Sequence, residues 1–361
     1  MPAHKHADAL VYASSQVILT DISYTSFTYP GDQEALATLK GIPGAGQLLS
    51  WLDANFSEQI THLNNNEQMV RINANNYGSL YALVERCCAI LSCKVPDVYI
   101  TTNPELNAYT SGQRRTCIVL HSGLVEALTP DELCFVIGHE VGHIKAAHGL
   151  YRQLGDMLIR YWDIFASVVP IPGVGMLRIP LLLAYWEWYR RAEFTCDRAG
   201  LLCLQNLGPG LSALAKLSGK VTGYEDERNI EETIAQTEAH KEVNKLVQLV
   251  SIMENSSTTH PFIPVRLKAL KEYAGGEQYR EILAGNYRRD VPQLAAAPAA
   301  LAAPGDEAAG GDTAALPQPG TTASAGAGAG AGAADAAAPL LAAGAQAVDK
   351  WKNSAAGLFK R

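Results

Sequence analysis

The chain has 361 residues, enough for one sizeable domain or two small ones. Its formal charge of −7, from 29 basic and 36 acidic side chains, argues against a nucleic-acid partner. Seven cysteines, an odd number with no Cys-x-x-Cys pair, predict free and mostly buried thiols in a reducing compartment rather than a disulfide framework.

Residues 1–70 predict a helical lead-in to a larger domain. Its first fifteen residues lack the apolar core of a signal peptide, so we expect a cytoplasmic protein. The apolar spacing predicts helices over three segments, 32–39, 46–63 and 79–92. Two β-rich runs, 98–102 and 115–121, are expected to form a small sheet around a loop that holds Asn107.

The most informative motif is His139-Glu140-Val141-Gly142-His143, within an apolar helix that Thr129-Pro130-Asp131-Glu132 begins with a capping box. Two imidazoles four residues apart share one helix face and can hold one metal ion, while the glutamate beside the first can reach a metal-bound water. The alternative is a buried helix whose histidines only form hydrogen bonds to carbonyl groups. Gly138 and Gly142 predict that another backbone packs close to this helix.

The segment 163–189 is apolar at first, but Pro170, Pro172, Gly173 and Gly175 interrupt it. Its uninterrupted part is shorter than the roughly 20 residues that a membrane-spanning helix needs. We expect a helix-loop-helix insertion that either packs on the catalytic core or dips into a membrane surface. Aromatic residues in and beside this segment keep the second alternative open, because such rings favour membrane interfaces; among them are Trp162, Tyr185, Trp186, Trp188 and Tyr189.

A second motif, Glu193-Phe194-Thr195-Cys196-Asp197, lies near the end of a helix expected over 181–206. Glu193 and Asp197 share a helix face, so one carboxylate can bind a metal while the other accepts a hydrogen bond from the outer N–H of a ligating histidine. The alternative is a pair of solvated acids on an exposed face, paired with Arg190 and Arg198.

The composition changes after about residue 290. Residues 289–346 are rich in Ala, Gly and Pro, which predicts a disordered linker. Residues 347–361 carry an apolar stripe with basic flanks: either a frayed tail or an anchor for a partner, an anionic membrane or the enzyme's own cleft. The remaining span, 71–288, is the expected catalytic domain, with its insertion at about 157–189.

Together these motifs resemble the gluzincin metallopeptidases related to the heat-shock protease HtpX and the CAAX prenyl endopeptidases. The resemblance covers most of residues 26–273 and rests on four elements in order: Asn107-Ala108-Tyr109, the HEVGH helix ending in His148, Glu193 to Asp197 followed by Ala199-Gly200, and Thr259-His260-Pro261 with Arg266 and Leu270. It implies an α+β, mainly helical fold: a zincin-like catalytic domain with a small β-sheet beside the HExxH helix. The resemblance does not extend to the ends of this sequence, where no clear counterpart of the transmembrane helices typical of the membrane-bound members is expected.

The expected site contains one Zn²⁺ per chain, held by His139, His143 and Glu193, with an open fourth position. Glu140, which is not a ligand, is expected to act as the general base. Asp197 is expected to orient a ligating histidine.

Three further roles depend on the resemblance. His148 is a candidate partner of a ligating histidine, and Asn107 is a candidate contact of the substrate backbone. His260 is the candidate for stabilising the oxyanion; it could instead bind zinc in a resting form, or cap a helix.

These features predict a zinc-dependent endopeptidase acting on extended or unfolded polypeptides, which could add to the sheet edge. Family analogy suggests protein quality control. Two alternatives remain: a membrane-associated protease acting on membrane proteins, with contacts through 163–189 or 347–361, and a non-catalytic zinc scaffold. The intact Glu140 argues against the scaffold, because a pure binder needs no base beside the metal.

Overall fold

The computed structural model describes residues 16–46, 48, 69–112, 116–149, 151–152, 155, 162, 174–219, 229–239 and 263–290. Its strands are β1 Val70–Ile72, β2 Asp97–Thr101, β3 Ala108–Ser111 and β4 Cys117–His121. Its helices are α1 Asp32–Lys40, α2 Gly78–Ile90, α3 Ser122–Ala127, α4 Pro130–Lys145, α5 Arg178–Leu204, α6 Leu207–Leu217, α7 Ile230–Ala239, α8 Ile263–Gly275 and α9 Glu277–Leu283. The predicted α+β, mainly helical fold is confirmed.

The described strands form one sheet in the order β1-β2-β4-β3. Strand β2 runs parallel to β4, while β1 and β3 pair antiparallel with their neighbours. The sequence pattern placed Ala108–Ser111 in a loop, and that prediction was wrong. Ala108 pairs with Leu120 and Ser111 with Cys117, so the pairing with β4 makes this short, weakly periodic segment a strand.

Helix α4 begins as the sequence predicts. The hydroxyl of Thr129 accepts a hydrogen bond from the backbone N–H of Glu132, and the Glu132 carboxylate accepts one from the N–H of Thr129. The same carboxylate accepts hydrogen bonds from Ser212 and Lys216 on α6, which ties the start of α4 to the next layer. From Glu132 to His143 every residue of α4 is buried, so the helix runs through the core.

Glycines allow α4 and α5 to pack with their backbones in close contact, as Gly138 and Gly142 predict. A Cβ atom built on Gly142 would lie 2.6 Å from the Cβ atom of Ala199. A Cβ atom built on Gly200 would lie 2.6 Å from the carbonyl oxygen of Phe135, a backbone atom that cannot rotate away. This contact sets the distance between the two helices that carry the candidate metal ligands.

We expect Gly200→Ala to destabilise the protein by about 1–3 kcal/mol, because the added methyl group overpacks the contact with α4. This cost outweighs the gain in helix propensity of about 1 kcal/mol. Gly275→Ala is the matched control: nothing lies within 4 Å of its Cβ position, so its effect should be neutral or slightly stabilising. Urea unfolding of both variants measures the difference, and equal stabilities would contradict the close contact.

The aromatic residues of the predicted insertion that the structure describes are buried. Helix α5 begins at Arg178 and continues without a break into the Glu193 motif. Tyr185, Trp186, Trp188 and Tyr189 are at most 8% exposed and belong to one apolar cluster with residues of α1. These rings therefore no longer argue for a membrane interface. Among the described residues, no helix is both long and apolar enough to cross a bilayer.

The described residues that precede α1 pack into the same core as the catalytic helices. Leu19, Ile22 and Phe27 are fully buried in the cluster that also contains residues of α4. The boundary near residue 70 remains a prediction. The predicted linker beyond residue 290, the terminal segment 347–361 and nearly all of the helix expected over 46–63 lie outside the described residues. All seven cysteines are free thiols, as predicted, and six of them are buried.

Candidate active site

The two histidines of α4 and the glutamate of α5 meet at one point in the core. The Nε2 atoms of His139 and His143 are 3.2 Å apart. Glu193 places one oxygen 3.3 Å from the Nε2 of His143 and the other 3.6 Å from the Nε2 of His139. All three side chains are buried, at no more than 3% residue exposure.

This spacing fits a tetrahedral metal ion. Zinc–nitrogen bonds of about 2.0–2.1 Å at tetrahedral angles put neighbouring ligand atoms about 3.3 Å apart. The three observed distances lie close to that value. Three lone-pair atoms converging in a buried space repel one another unless a cation lies between them, so the donor set fits a divalent metal.

Asp197 sets the orientation of the first histidine. Its Oδ1 atom lies 3.0 Å from the Nδ1 of His139. Burial alone would raise the pKa of Asp197, but the charge and hydrogen bonds of Arg266 and the hydrogen bond to His139 hold this pKa below its ordinary value. An ionised carboxylate only accepts hydrogen bonds, so the Nδ1 of His139 is the donor and its Nε2 presents a lone pair to the metal site.

His148 contacts the second histidine. The Nδ1 atoms of His143 and His148 are 3.0 Å apart, and the Sγ of Cys196 lies 3.7 Å from the same nitrogen of His148. Burial lowers the pKa of His143 to about 4, so this ring is neutral, as a metal ligand must be. When the Nδ1 of His143 is the donor, its Nε2 presents the lone pair towards Glu193.

The structure rules out the alternative of two solvated acids. Glu193 and Asp197 are 0% and 2% exposed. Arg190 pairs with Glu187 instead, and Arg198 donates to the carbonyl oxygen of Thr28.

Arg266, on α8, is a site residue to which the sequence assigned no role. Its guanidinium donates two hydrogen bonds to Asp197, at 2.8 and 2.6 Å, and its Nη1 lies 3.0 Å from Glu193. Arg266 is 1% exposed, so these carboxylates compensate a buried charge. The resemblance included Arg266 but gave it no role. Arg266 and Asp197 lie 69 residues apart in the chain, so only the fold shows that they are partners.

Glu140 is fully buried beside the metal ligands. The hydroxyl of Thr110, on β3, lies 2.7 Å from its Oε2 atom and 3.1 Å from its backbone oxygen. Thr110 therefore connects the last strand of the sheet to the candidate base. The sequence pattern gave no signal for this contact.

The two remaining candidates have different outcomes. Asn107 is 8% exposed and lies immediately before β3, where its carbonyl oxygen accepts a hydrogen bond from the N–H of His121. His260 lies outside the described residues, so its role remains a prediction.

Comparisons with known proteins agree with this geometry. The model of peptidase family M48 matches residues 74–274. The Arabidopsis thaliana protein named plastoglobule-localized metallopeptidase 48, chloroplastic, is 30% identical over 282 residues, which cover 77% of this chain and 80% of the relative. A protease HtpX homolog of Moorella thermoacetica is 28% identical, with coverage of 53% and 71%, and one of Tropheryma whipplei is 26% identical, with coverage of 56% and 75%. The family match covers more than half of the chain and coincides with the candidate metal site, so the chain belongs to peptidase family M48 and is a metallopeptidase.

Proposed function

We propose that this protein is a zinc-dependent endopeptidase that cleaves extended or unfolded polypeptides. The observation that carries the proposal is the convergence of His139, His143 and Glu193 at tetrahedral spacing, with Glu140 on the same helix. Two imidazoles and one carboxylate are a common ligand set of catalytic zinc sites, which keep their fourth position open. One zinc ion per chain is therefore proposed.

A zinc ion held there would supply Lewis acidity, polarising the scissile carbonyl and lowering the pKa of water to about 7. Glu140 takes a proton from the attacking water and delivers it to the leaving amine nitrogen as the C–N bond breaks. Asp197 and His148 hold the rings of His139 and His143 through their Nδ1 atoms.

The oxyanion that develops on the substrate needs a further donor. We assign this role to His260, because the resemblance places the Thr-His-Pro element near the metal.

Strand β3 is the proposed guide for the substrate. It ends the sheet order among the described strands, and its Thr110 contacts Glu140, so a polypeptide adding beside β3 would pass the base. A small cavity of about 10 Å³ lies beside His139 and Glu140. Its other lining residues are Ala108, Phe135, Val136, Leu217 and Arg266. Asn107, immediately before β3, is proposed to contact the substrate backbone.

Backbone recognition does not require a particular sequence, which favours unfolded proteins as substrates and a role in quality control. The proposed location is cytoplasmic, with membrane contact through 163–189 or 347–361 as the alternative. The Arabidopsis relative is named for plastoglobules and the chloroplast.

The test is cleavage of casein by the full chain, with bound zinc quantified in the same sample. We expect one zinc per chain, loss of cleavage when a chelator removes it, and recovery with zinc but not with magnesium. A folded protein of similar size should remain intact.

Zinc binding without cleavage of casein would favour the scaffold, and a truncation after Asp290 would then test whether the C-terminal region blocks the site. Absence of bound zinc would overturn the ligand assignment.

A further inference from the structure

The chain returns to the active site immediately after α4. Ala147 adopts a left-handed conformation (φ 55°), the N–H of Ala147 donates to the carbonyl of Ile144, and the N–H of His148 donates to that of His143. This pattern is a Schellman motif, which reverses the chain at a helix end. The N–H of Arg152 then donates to the carbonyl of His148. This turn therefore carries the side chains of His148 and Arg152, four residues apart, back towards α4.

Both of these side chains contact the HExxH motif. His148 meets the Nδ1 of His143 at 3.0 Å. Arg152 places its Nη1 atom 3.9 Å from the Oε2 atom of Glu140, and the guanidinium-bearing side chain is 15% exposed. Among the residues that the structure describes, no hydrogen-bond acceptor satisfies this nitrogen.

The surroundings keep Arg152 charged. Burial opposes the charge, but Tyr189, Glu140 and Glu193 raise the pKa of the guanidinium above its ordinary value. The aromatic rings of α5 support the turn, since Tyr151 packs on Trp188 with ring centroids 5.3 Å apart. A charged group with this little exposure ordinarily compensates a nearby charge, and among the described residues Arg152 forms its ion pair with the Glu140 carboxylate.

Arg152 and Thr110 approach the same oxygen of Glu140 from different elements. Thr110 comes from the sheet and Arg152 from the turn after α4. The Oε2 atom accepts a 2.7 Å hydrogen bond and faces a guanidinium, so it is a poorer base than the other carboxylate oxygen of Glu140, Oε1. Proton transfer then falls to Oε1, and the direction of Oε1 depends on how firmly Oε2 is held.

We propose that Arg152 is a positioning residue for catalysis, which holds the Glu140 carboxylate together with Thr110 so that Oε1 faces the attacking water. This inference rests on the proposed function, in which Glu140 is the base. It differs from the role of Arg266, which bonds the metal-orienting carboxylate Asp197 rather than the base.

The test compares Arg152→Ala and Arg152→Lys in the zinc-loaded full chain, with Arg190→Ala as the control. Arg190 is a partly exposed arginine of α5 that pairs with Glu187. We expect Arg152→Ala to lower kcat for casein about 10- to 100-fold with KM and zinc content unchanged, because a misplaced group loses rate rather than binding. Arg152→Lys should retain more activity, and added guanidinium ions should restore part of kcat in Arg152→Ala alone.

A second readout does not require turnover. A peptide hydroxamate binds zinc and hydrogen-bonds to a glutamate held beside the metal, so calorimetry should give about tenfold weaker binding to Arg152→Ala and unchanged binding to Arg190→Ala. If the wild type binds the hydroxamate in this Arg152-dependent way but cleaves nothing, the proposed peptidase function fails, while the positioning of the Glu140 carboxylate by Arg152 is still supported.

Three results would overturn the inference: kcat and hydroxamate affinity of Arg152→Ala within twofold of wild type, a loss of zinc parallel to the loss of activity, or no recovery with either lysine or guanidinium. If Arg152→Ala does not fold, Arg152→Lys carries the same comparison through its kcat, KM and hydroxamate affinity. Failure of the wild type to bind the hydroxamate would contradict both the proposed zinc site and the inference.

Discussion

Glu140→Gln is expected to lower casein cleavage by about 10²- to 10⁴-fold while zinc binding is retained, because an amide cannot accept the proton of the attacking water. Glutamine has nearly the same shape, and its carbonyl oxygen can still accept the hydrogen bond that the Thr110 hydroxyl gives to Oε2. The change therefore removes the base with little change in packing. Initial rates of casein cleavage and the zinc content of the purified proteins are the measurements.

The matched control for this substitution is Glu126→Gln. Glu126 is an exposed residue of α3, so the same loss of charge should leave cleavage unchanged. Retention of a tenth or more of wild-type activity by Glu140→Gln would mean that another group takes the proton. A loss of zinc in this variant would instead mean that Glu140 contributes to metal binding.

Arg266→Met should destabilise the metal-free protein by about 3–5 kcal/mol, because it removes the partner of buried charges. Asp197 would lose two hydrogen bonds, and Glu193 would lose its closest cation. Zinc supplies positive charge at the same place, so we expect the zinc-loaded variant to recover part of this loss. Urea unfolding with and without zinc measures both values.

Arg280→Met is the control for Arg266→Met. Arg280 lies on the exposed side of α9 and donates to the carbonyl of Gly275, so its loss should change the free energy of unfolding by no more than about 0.5 kcal/mol. A cost below about 1 kcal/mol for Arg266→Met in the metal-free protein would contradict the stabilising role of the buried ion pairs between Arg266, Asp197 and Glu193.

The difference in the free energy of unfolding between wild type and Arg266→Met should also depend on pH. The pKa of Asp197 is lowered in the folded state, so its stabilising contribution is complete above the unfolded value of about 3.9 and is lost as the pH falls further. The stability difference between wild type and Arg266→Met should therefore narrow below about pH 4. An unchanged difference at acid pH would mean that Asp197 is not the group that Arg266 stabilises.

Local patterns determined the parts of this site that lie on single helices. The i,i+4 spacing of His139 and His143, and of Glu193 and Asp197, places each pair on one helix face whatever the fold. The capping box at Thr129 likewise involves only neighbours in the chain, and Gly142 predicts close packing because a helix interior otherwise disfavours glycine. Each of these predictions depends on helical geometry over fewer than two turns, and so could be made from the sequence.

Tertiary structure decided the contacts between elements. Thr110, Arg152 and Arg266 have no local signature, because each meets its partner through a different strand, turn or helix. The aromatic residues of 163–189 show the same limit: an apolar, aromatic segment suits a protein core and a membrane interface equally well by composition. In the structure the described aromatic residues pack against α1 and belong to the core. Burial depends on which surfaces come into contact, and the composition of a segment does not determine those contacts.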